Sequence, residues 1–267
     1  MEFAENQDFD EMVQTPGPKE LLIELVDEAG NKAIITVEIT IFDNSLTIRF
    51  VDSKDQDIVT PVVISDKIPG DKVDLTAEQA VLKGLQEAED LHYLLLTRPE
   101  DEDQVEVTST GKIVKYEFDG TLFISSYPKT LDFETHQVWF SDIRVEKPQY
   151  QEPLVIWDNR GIKANWTLTA TLTKDFTLQA GDVDDPNFVL TDVLSYQKTT
   201  EENSAVVLHD EAEAVYSAQH AEDQSEYNIS DTWDENGPGL KFETTAANVK
   251  KLGDYQAEIL WTLGDAR

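Results

Sequence analysis

The sequence predicts a mainly β protein, in which a small α+β module is followed by an all-β sandwich or barrel. Three observations carry this. Apolar and polar residues alternate with a period of two in many short runs, as half-buried strands require. One stretch, from Thr76 to Leu91, follows helical spacing instead. From Thr121 to the end there is no helical pattern, only short alternating runs separated by turns.

The elements follow in order. Residues 1–18 are polar and acidic and end in Pro16-Gly17-Pro18, which reads as a flexible lead-in. Residues 19–119 form the α+β module. Leu21 to Val26 is apolar and is closed by the turn Asp27-Glu28-Ala29-Gly30-Asn31. Ile35, Val37, Ile39 and Ile41 alternate with polar residues, and so do Leu46, Ile48 and Phe50. Thr76 and Gln79 have the spacing of a capping box. Val81, Leu82, Leu85, Ala88 and Leu91 follow on one helical face, which Gly84 weakens. Strands resume at Tyr93–Leu96, Val105–Val107 and the run Val114, Tyr116, Phe118. Asp119-Gly120 is a turn and the expected boundary. The β domain then occupies 120–267. Its clearest strands carry Trp166, Leu168, Ala170 and Leu172, then Tyr255, Ala257, Ile259, Trp261 and Leu263. Residues 199–240 hold no Lys or Arg and are expected to be long loops with one strand near Ala205–Leu208.

Composition excludes several functions. The 267 residues carry 21 Lys plus Arg against 54 Asp plus Glu, a net charge of −33. A phosphate backbone is met by clustered Lys and Arg, so nucleic acid is not expected as a partner. The charge also argues against docking on an anionic membrane. No run of about 18 apolar residues occurs, so no membrane span is expected. Met1-Glu2-Phe3-Ala4-Glu5-Asn6 has neither a basic start nor an apolar run, so it is not read as a secretory signal. Cysteine is absent, which removes disulfides, thiol nucleophiles and Cys-ligated metals.

No catalytic signature emerges. His92, His136, His209 and His220 stand in separate contexts, without His-Glu-x-x-His, a Gly-x-Ser-x-Gly elbow or a phosphate-binding glycine loop. A carboxylate pair is defined by its spatial separation, which sequence does not give. The protein is therefore read as no enzyme, with no cofactor. Calcium is the one ion the acids suggest. Asp182, Asp184 and Asp185 share one turn, and Asp52, Asp55 and Asp57 another. Hard cations need several oxygens around one point, but a solvated acidic turn has the same composition.

The tryptophans are more informative. Trp166-Thr167-Leu168 and Trp261-Thr262-Leu263 repeat a Trp-x-Leu pattern, with Trp and Leu on one face of a strand each time. Their regular flanks favour a role in the core over a platform for sugars or wall peptides. Rings used for binding are expected on loops, with Trp139, Tyr227 and Trp233 as candidates.

The two motifs, with Gly120-Thr121-Leu122, Leu131-Asp132-Phe133 before His136, and Asp158-x-Arg160-Gly161, resemble the WxL-domain surface proteins of low-GC Gram-positive bacteria. The resemblance spans about 120–267. Glu134 stands where that family usually has Gly. The resemblance implies a secreted protein at the cell wall or cell surface, held on peptidoglycan without a covalent bond. It also implies partner surface proteins from the same gene cluster and a signal peptide missing from this chain. Ile48-x-Phe50-Val51-Asp52, Ile68-Pro69-Gly70-Asp71 and Lys112-x-Val114-x-Tyr116-x-Phe118 resemble the mucin-binding-protein (MucBP) repeat of adhesins, which implies a β-grasp-like module. Two rival readings remain: an adhesin for host matrix or mucin glycans, and a wall glycan hydrolase.

Overall fold

The computed structural model describes residues 2–3, 12–139, 141–160, 165–179, 185–201, 204–221 and 224–266. Strand makes up 49% of the chain and helix 8%, so the protein is mainly β. It divides into two compact units, Met1–Asp119 and Gly120–Arg267.

In the first unit, β1 (Glu2–Phe3), β2 (Gly17–Val26) and β3 (Lys32–Ile41) form one antiparallel sheet. The Asp27 carboxylate builds the β2–β3 turn by accepting from the backbone of Ala29 and Asn31 at 2.9 and 2.8 Å. Of the expected lead-in, residues 4–11 lie outside the described residues, while Glu2 and Phe3 pair with Glu24 and Ile23 and β2 already includes Gly17 and Pro18. The second sheet contains β4 (Asp43–Val51), β5 (Val62–Ile64), β7 (Leu94–Thr97) and β9 (Thr110–Asp119), in the order β5-β4-β9-β7. Its central pair β4–β9 is parallel and its outer pairs are antiparallel. α1 (Gln79–Asp90) packs on β4, so the unit combines a mixed four-stranded sheet with one helix. A short ladder joins β6 (Lys72–Val73) to β8 (Val105–Glu106).

The helix differs from its sequence reading in two respects. Thr76 does not cap it. Its hydroxyl donates to Asp74, and the N-cap residue Glu78 makes no side-chain capping bond. Gly84 is there for packing, since a Cβ at this position would run into the Phe50 ring. Val81, Gly84 and Ala88 are buried, whereas Leu82 and Leu91 are exposed. Phe50 stacks on Tyr116 at 5.6 Å, and burial raises the pKa of the Tyr116 phenol, which donates to Glu102 at 2.8 Å.

The second unit has three sheets around one core. The first holds β10 (Leu122–Ser126), β12 (Val155–Asp158) and β18 (Glu226–Asn228). The second runs β11-β19-β15-β16, formed by Ile143–Val145, Gly239–Thr244, Leu194–Gln197 and Ala205–Val207 respectively. The third centres on β13 (Asn165–Leu178), with β14 (Val189–Leu190) and β17 (Glu213–Gln219) on one side and β20 (Tyr255–Ala266) on the other. Among the described residues no closed barrel forms, and the sheets are consistent with the sandwich of the two expectations. Residues 199–240 are not long loops, because β16, β17 and β18 all lie within them.

Candidate functional site

The two Trp-x-Leu motifs lie on neighbouring antiparallel strands. Leu168 is opposite Leu263, Trp166 opposite Asp265, and Ala170 opposite Trp261. Period-two alternation sends Trp166, Leu168, Ala170 and Leu172 inward, where all are buried. The Trp166 ring stacks on Tyr216 at 5.6 Å and meets Tyr227 edge-on at 5.3 Å. Trp261 and Leu263 are half-buried and pack against the same core.

A buried charge cluster closes the Trp166 end. Arg160 grips Asp158 with both arms, Nε to Oδ1 at 2.8 Å and Nη2 to Oδ2 at 3.0 Å. Its Nη1 reaches Asp265 on β20. Asp158 is 0% exposed and Arg160 7%. Hydrogen bonding to Asp158 raises the Arg160 pKa further. His220 brings Nδ1 to 3.6 Å from Asp158. Next to the cluster, Thr121 donates its backbone N–H to the Asn159 side chain at 2.6 Å. Gly120 lies so close to the backbone of Asn159 and Arg160 that any Cβ would collide with it. The segments Gly120-Thr121-Leu122 and Asp158-x-Arg160, far apart in sequence, therefore clamp one another. Gly161 lies outside the described residues.

Beside the motifs runs a groove of about 1460 Å³. One wall is the segment Tyr127–Trp139, the other is Gly253–Trp261 leading into β20, and Phe176, Leu194 and Phe242 line the space between. Phe133 anchors the first wall by packing on Phe176 and Phe242 at 5.9 and 5.8 Å. Asp132 pairs with Gln149 through two backbone bonds of 2.8 Å. His136 Nε2 contacts the Phe133 carbonyl at 2.6 Å. Glu134 sits at φ 66°, in the left-handed region that favours Gly.

Of the three rings expected on loops for binding, only Trp139 is exposed, at 65%, on the groove wall. Tyr227 and Trp233 are core residues at 6% and 2% exposure, and that expectation is corrected. Trp233 donates Nε1 to Tyr196 at 3.1 Å, and burial pushes the Tyr196 phenol up to about 12. Sequence reasoning weighed His220 without finding its partner and missed Asn159 and Asp265, because the contacts come from remote strands and leave no local signal. It also missed Lys241, which is buried and donates to the carbonyls of Glu146 and Glu235 at 2.7 and 3.1 Å; burial lowers its pKa.

Of the calcium candidates, Asp52, Asp55, Asp57 and Asp185 lie within the described residues, and each is engaged by its own turn or by a cation. Asp185 caps a short 3-10 turn by accepting from Asn187 at 2.9 Å, while Asp182 and Asp184 lie outside the described residues. Asp55 and Asp57 pair with Lys115 and Arg49 at 2.8 Å each, and Asp52 accepts from its own turn. Among the described residues, no group of three or more His, Asp or Glu is placed to hold a metal ion.

Residues 97–266 match the family described as WxL domain surface cell wall-binding. The chain belongs to the WxL family. The match begins ahead of Gly120 and so takes in β8 and β9 of the first unit. No curated protein and no solved structure matches the chain. The WxL description is one of binding rather than catalysis, and it makes this a wall-associated surface protein. Among the described residues, no helix is long and apolar enough to cross a membrane.

Proposed function

We propose that the WxL domain holds this protein on the cell wall by binding peptidoglycan without a covalent bond, after secretion. The observation that carries the reading is how the WxL motifs are used. Trp166 and Leu168 are buried, and Trp261 and Leu263 pack on the same core. The motifs therefore build the domain, and contact with the wall falls to what stays outside. Trp139 and Tyr127 are exposed rings on the groove wall, with Trp139 the more exposed, and rings of that kind stack on the apolar face of a sugar. The N-terminal β-grasp-like unit is assigned the role of spacer or adhesin.

The test is co-sedimentation of the full chain with purified peptidoglycan, in parallel with immobilised collagen and mucin. Wall binding that Trp139→Ala weakens at unchanged melting temperature supports the reading. Retention on collagen or mucin without retention on peptidoglycan refutes it. A turbidity-clearing assay on the same walls separates binding from glycan hydrolysis.

A further inference from the structure

The open side of β20 is the strongest feature that wall attachment leaves unexplained. We propose that it accepts an extended segment of another protein as an added strand, with basic side chains alternating with apolar ones. The inference does not depend on the peptidoglycan reading.

The first ground is the edge itself. β20 pairs with β13 along its length, and among the described residues no strand pairs with its other side. Protein edges are usually guarded by Lys, Pro or a bulge that spoils pairing. From Tyr255 to Ala266 there is no Lys, Arg or Pro, and Ile259–Leu263 carries no charge. The register shifts opposite Thr173 and Asp175-Phe176 put the extra residues on β13, so β20 stays regular. An edge of this kind is a template for pairing with another chain.

The second ground is the groove alongside. It follows the chain from Gly253 to Trp261, a length of about 30 Å at roughly 3.3 Å per residue. It is larger than the roughly 300–1,000 Å³ of a small-molecule pocket. In strand addition the peptide backbone pairs with the edge and alternate side chains enter pockets. Phe176 and Phe242 provide the apolar floor, and Leu260, 52% exposed on the edge, provides further apolar surface. A polysaccharide carries no regular row of amides to match such an edge.

The third ground is charge, which selects the occupant. Glu134 on one wall, with Asp254 and Glu258 on the other, form no ion pair among the described residues. Two of the nearby cations are engaged elsewhere, and Lys174 stands opposite Glu258 in the β13–β20 register, which leaves Glu134 and Asp254 as the carboxylates that face no cation across the sheet. Lys129 pairs with Glu152 at 3.3 Å, and the Lys251 ammonium lies over the Phe188 ring at 5.9 Å. Uncompensated carboxylates call for Lys or Arg on the incoming strand. A second copy of this chain, at −33, would bring the same carboxylates.

The experiment uses the full chain at about 150 mM salt, where long-range attraction is screened. The probe is a labelled nonapeptide alternating Ile and Lys, read by fluorescence anisotropy. Saturable binding is expected. N-methylation of alternate backbone nitrogens, which keeps every side chain but removes the pairing amides, should weaken it about tenfold or more. Exchanging Lys for Glu should weaken it similarly, and Leu260→Lys, at an exposed position, should do so at unchanged melting temperature. Three results would overturn the proposal: no saturable binding, equal affinity for the N-methylated peptide, or a sedimenting dimer that Leu260→Lys dissolves. The last would assign the edge to a second copy.

Discussion

Leu168 faces Leu263 directly across β13 and β20, and this pairing relates the two WxL motifs by a local two-fold axis. Each Trp lies two residues before its Leu and diagonally across from the other motif's Leu. The symmetry is broken by burial. Trp166 is enclosed between β17 and β18, whereas Trp261 reaches the groove.

This asymmetry predicts unequal mutational costs. Leu168→Ala should cost about 2–5 kcal/mol and Trp166→Ala about 3–5 kcal/mol, because both side chains are fully buried and their removal leaves a cavity. Trp261→Ala should cost about 1–2 kcal/mol, since its ring is only half removed from water. Urea denaturation followed by far-UV circular dichroism gives all three. Equal losses at Trp166 and Trp261 would mean that the two motifs are equally buried in solution.

The Arg160 cluster predicts strong coupling. Removing Arg160 leaves Asp158 buried without its cation, at a cost of about 3–5 kcal/mol. Asp158→Asn with Arg160→Met should cost clearly less than the sum of the single changes, by about 1 kcal/mol or more. Additive costs would show that the guanidinium and carboxylate do not depend on each other.

Glu134 predicts a gain. A non-glycine residue in the left-handed region costs about 1–2 kcal/mol, and a glycine there loses part of that advantage to its freer unfolded chain. Glu134→Gly should stabilise by up to about 1 kcal/mol, while Glu134→Val should destabilise by more than about 1 kcal/mol. Thermal melts of the two variants check the order. Val matching Gly would remove the strain argument.

The division of the chain is itself a proposal with a test. β9 pairs with β4 and β7, both ahead of Asp119, so its hydrogen bonds stay in the first unit. The family match nevertheless starts at residue 97. We propose that 120–267 folds alone. Dispersed amide resonances from that fragment are the expected result. A fragment that folds only when 97–119 is restored would move the boundary to the start of the match.

The sequence was legible where period-two alternation was strong. Ile35–Ile41, Leu46–Phe50, Val114–Phe118, Trp166–Leu172 and Tyr255–Leu263 all lie in strands. It was misleading where strands are built from Ala, Ser and Gln. In β17, Ala214, Ser217 and Ala218 have low strand propensity, and pairing with β13 overrides it. Rings on turn-rich segments were equally deceptive. Tyr227 and Trp233 follow polar residues yet plug the core. The site was half legible. The motifs marked the strands, but the register that brings Asp265 to Arg160 is a long-range property that local spacing does not encode.

Charge gives the last prediction, which concerns wall binding. Gram-positive walls carry anionic polymers, and this chain carries −33. The repulsion acts over about 8–10 Å at moderate ionic strength. Added salt should therefore strengthen attachment to whole walls. So should a pH lowered from 7 to 5, as carboxylates with ordinary values near 4 begin to take up protons. A melting temperature taken at pH 7 and pH 5 separates stronger binding from unfolding. Asp27, Asp43, Asp55 and Asp101 have pKa values lowered, chiefly by side-chain hydrogen bonds to Asn31, Ser45, Lys115 and Lys112 respectively. A depressed carboxylate stabilises the fold above its unfolded value and loses that contribution only as pH falls through the lower folded one. These four groups therefore keep their charge at pH 5, whereas burial raises the Asp175 carboxyl in the second unit; an unchanged melting temperature at pH 5 shows that a gain in bound fraction is not an effect of unfolding. The bound fraction on purified walls across pH 4–8 and 0.05–1 M salt decides the matter. Binding that falls with salt and peaks at neutral pH would mean attraction to a basic partner and would end the repulsion argument.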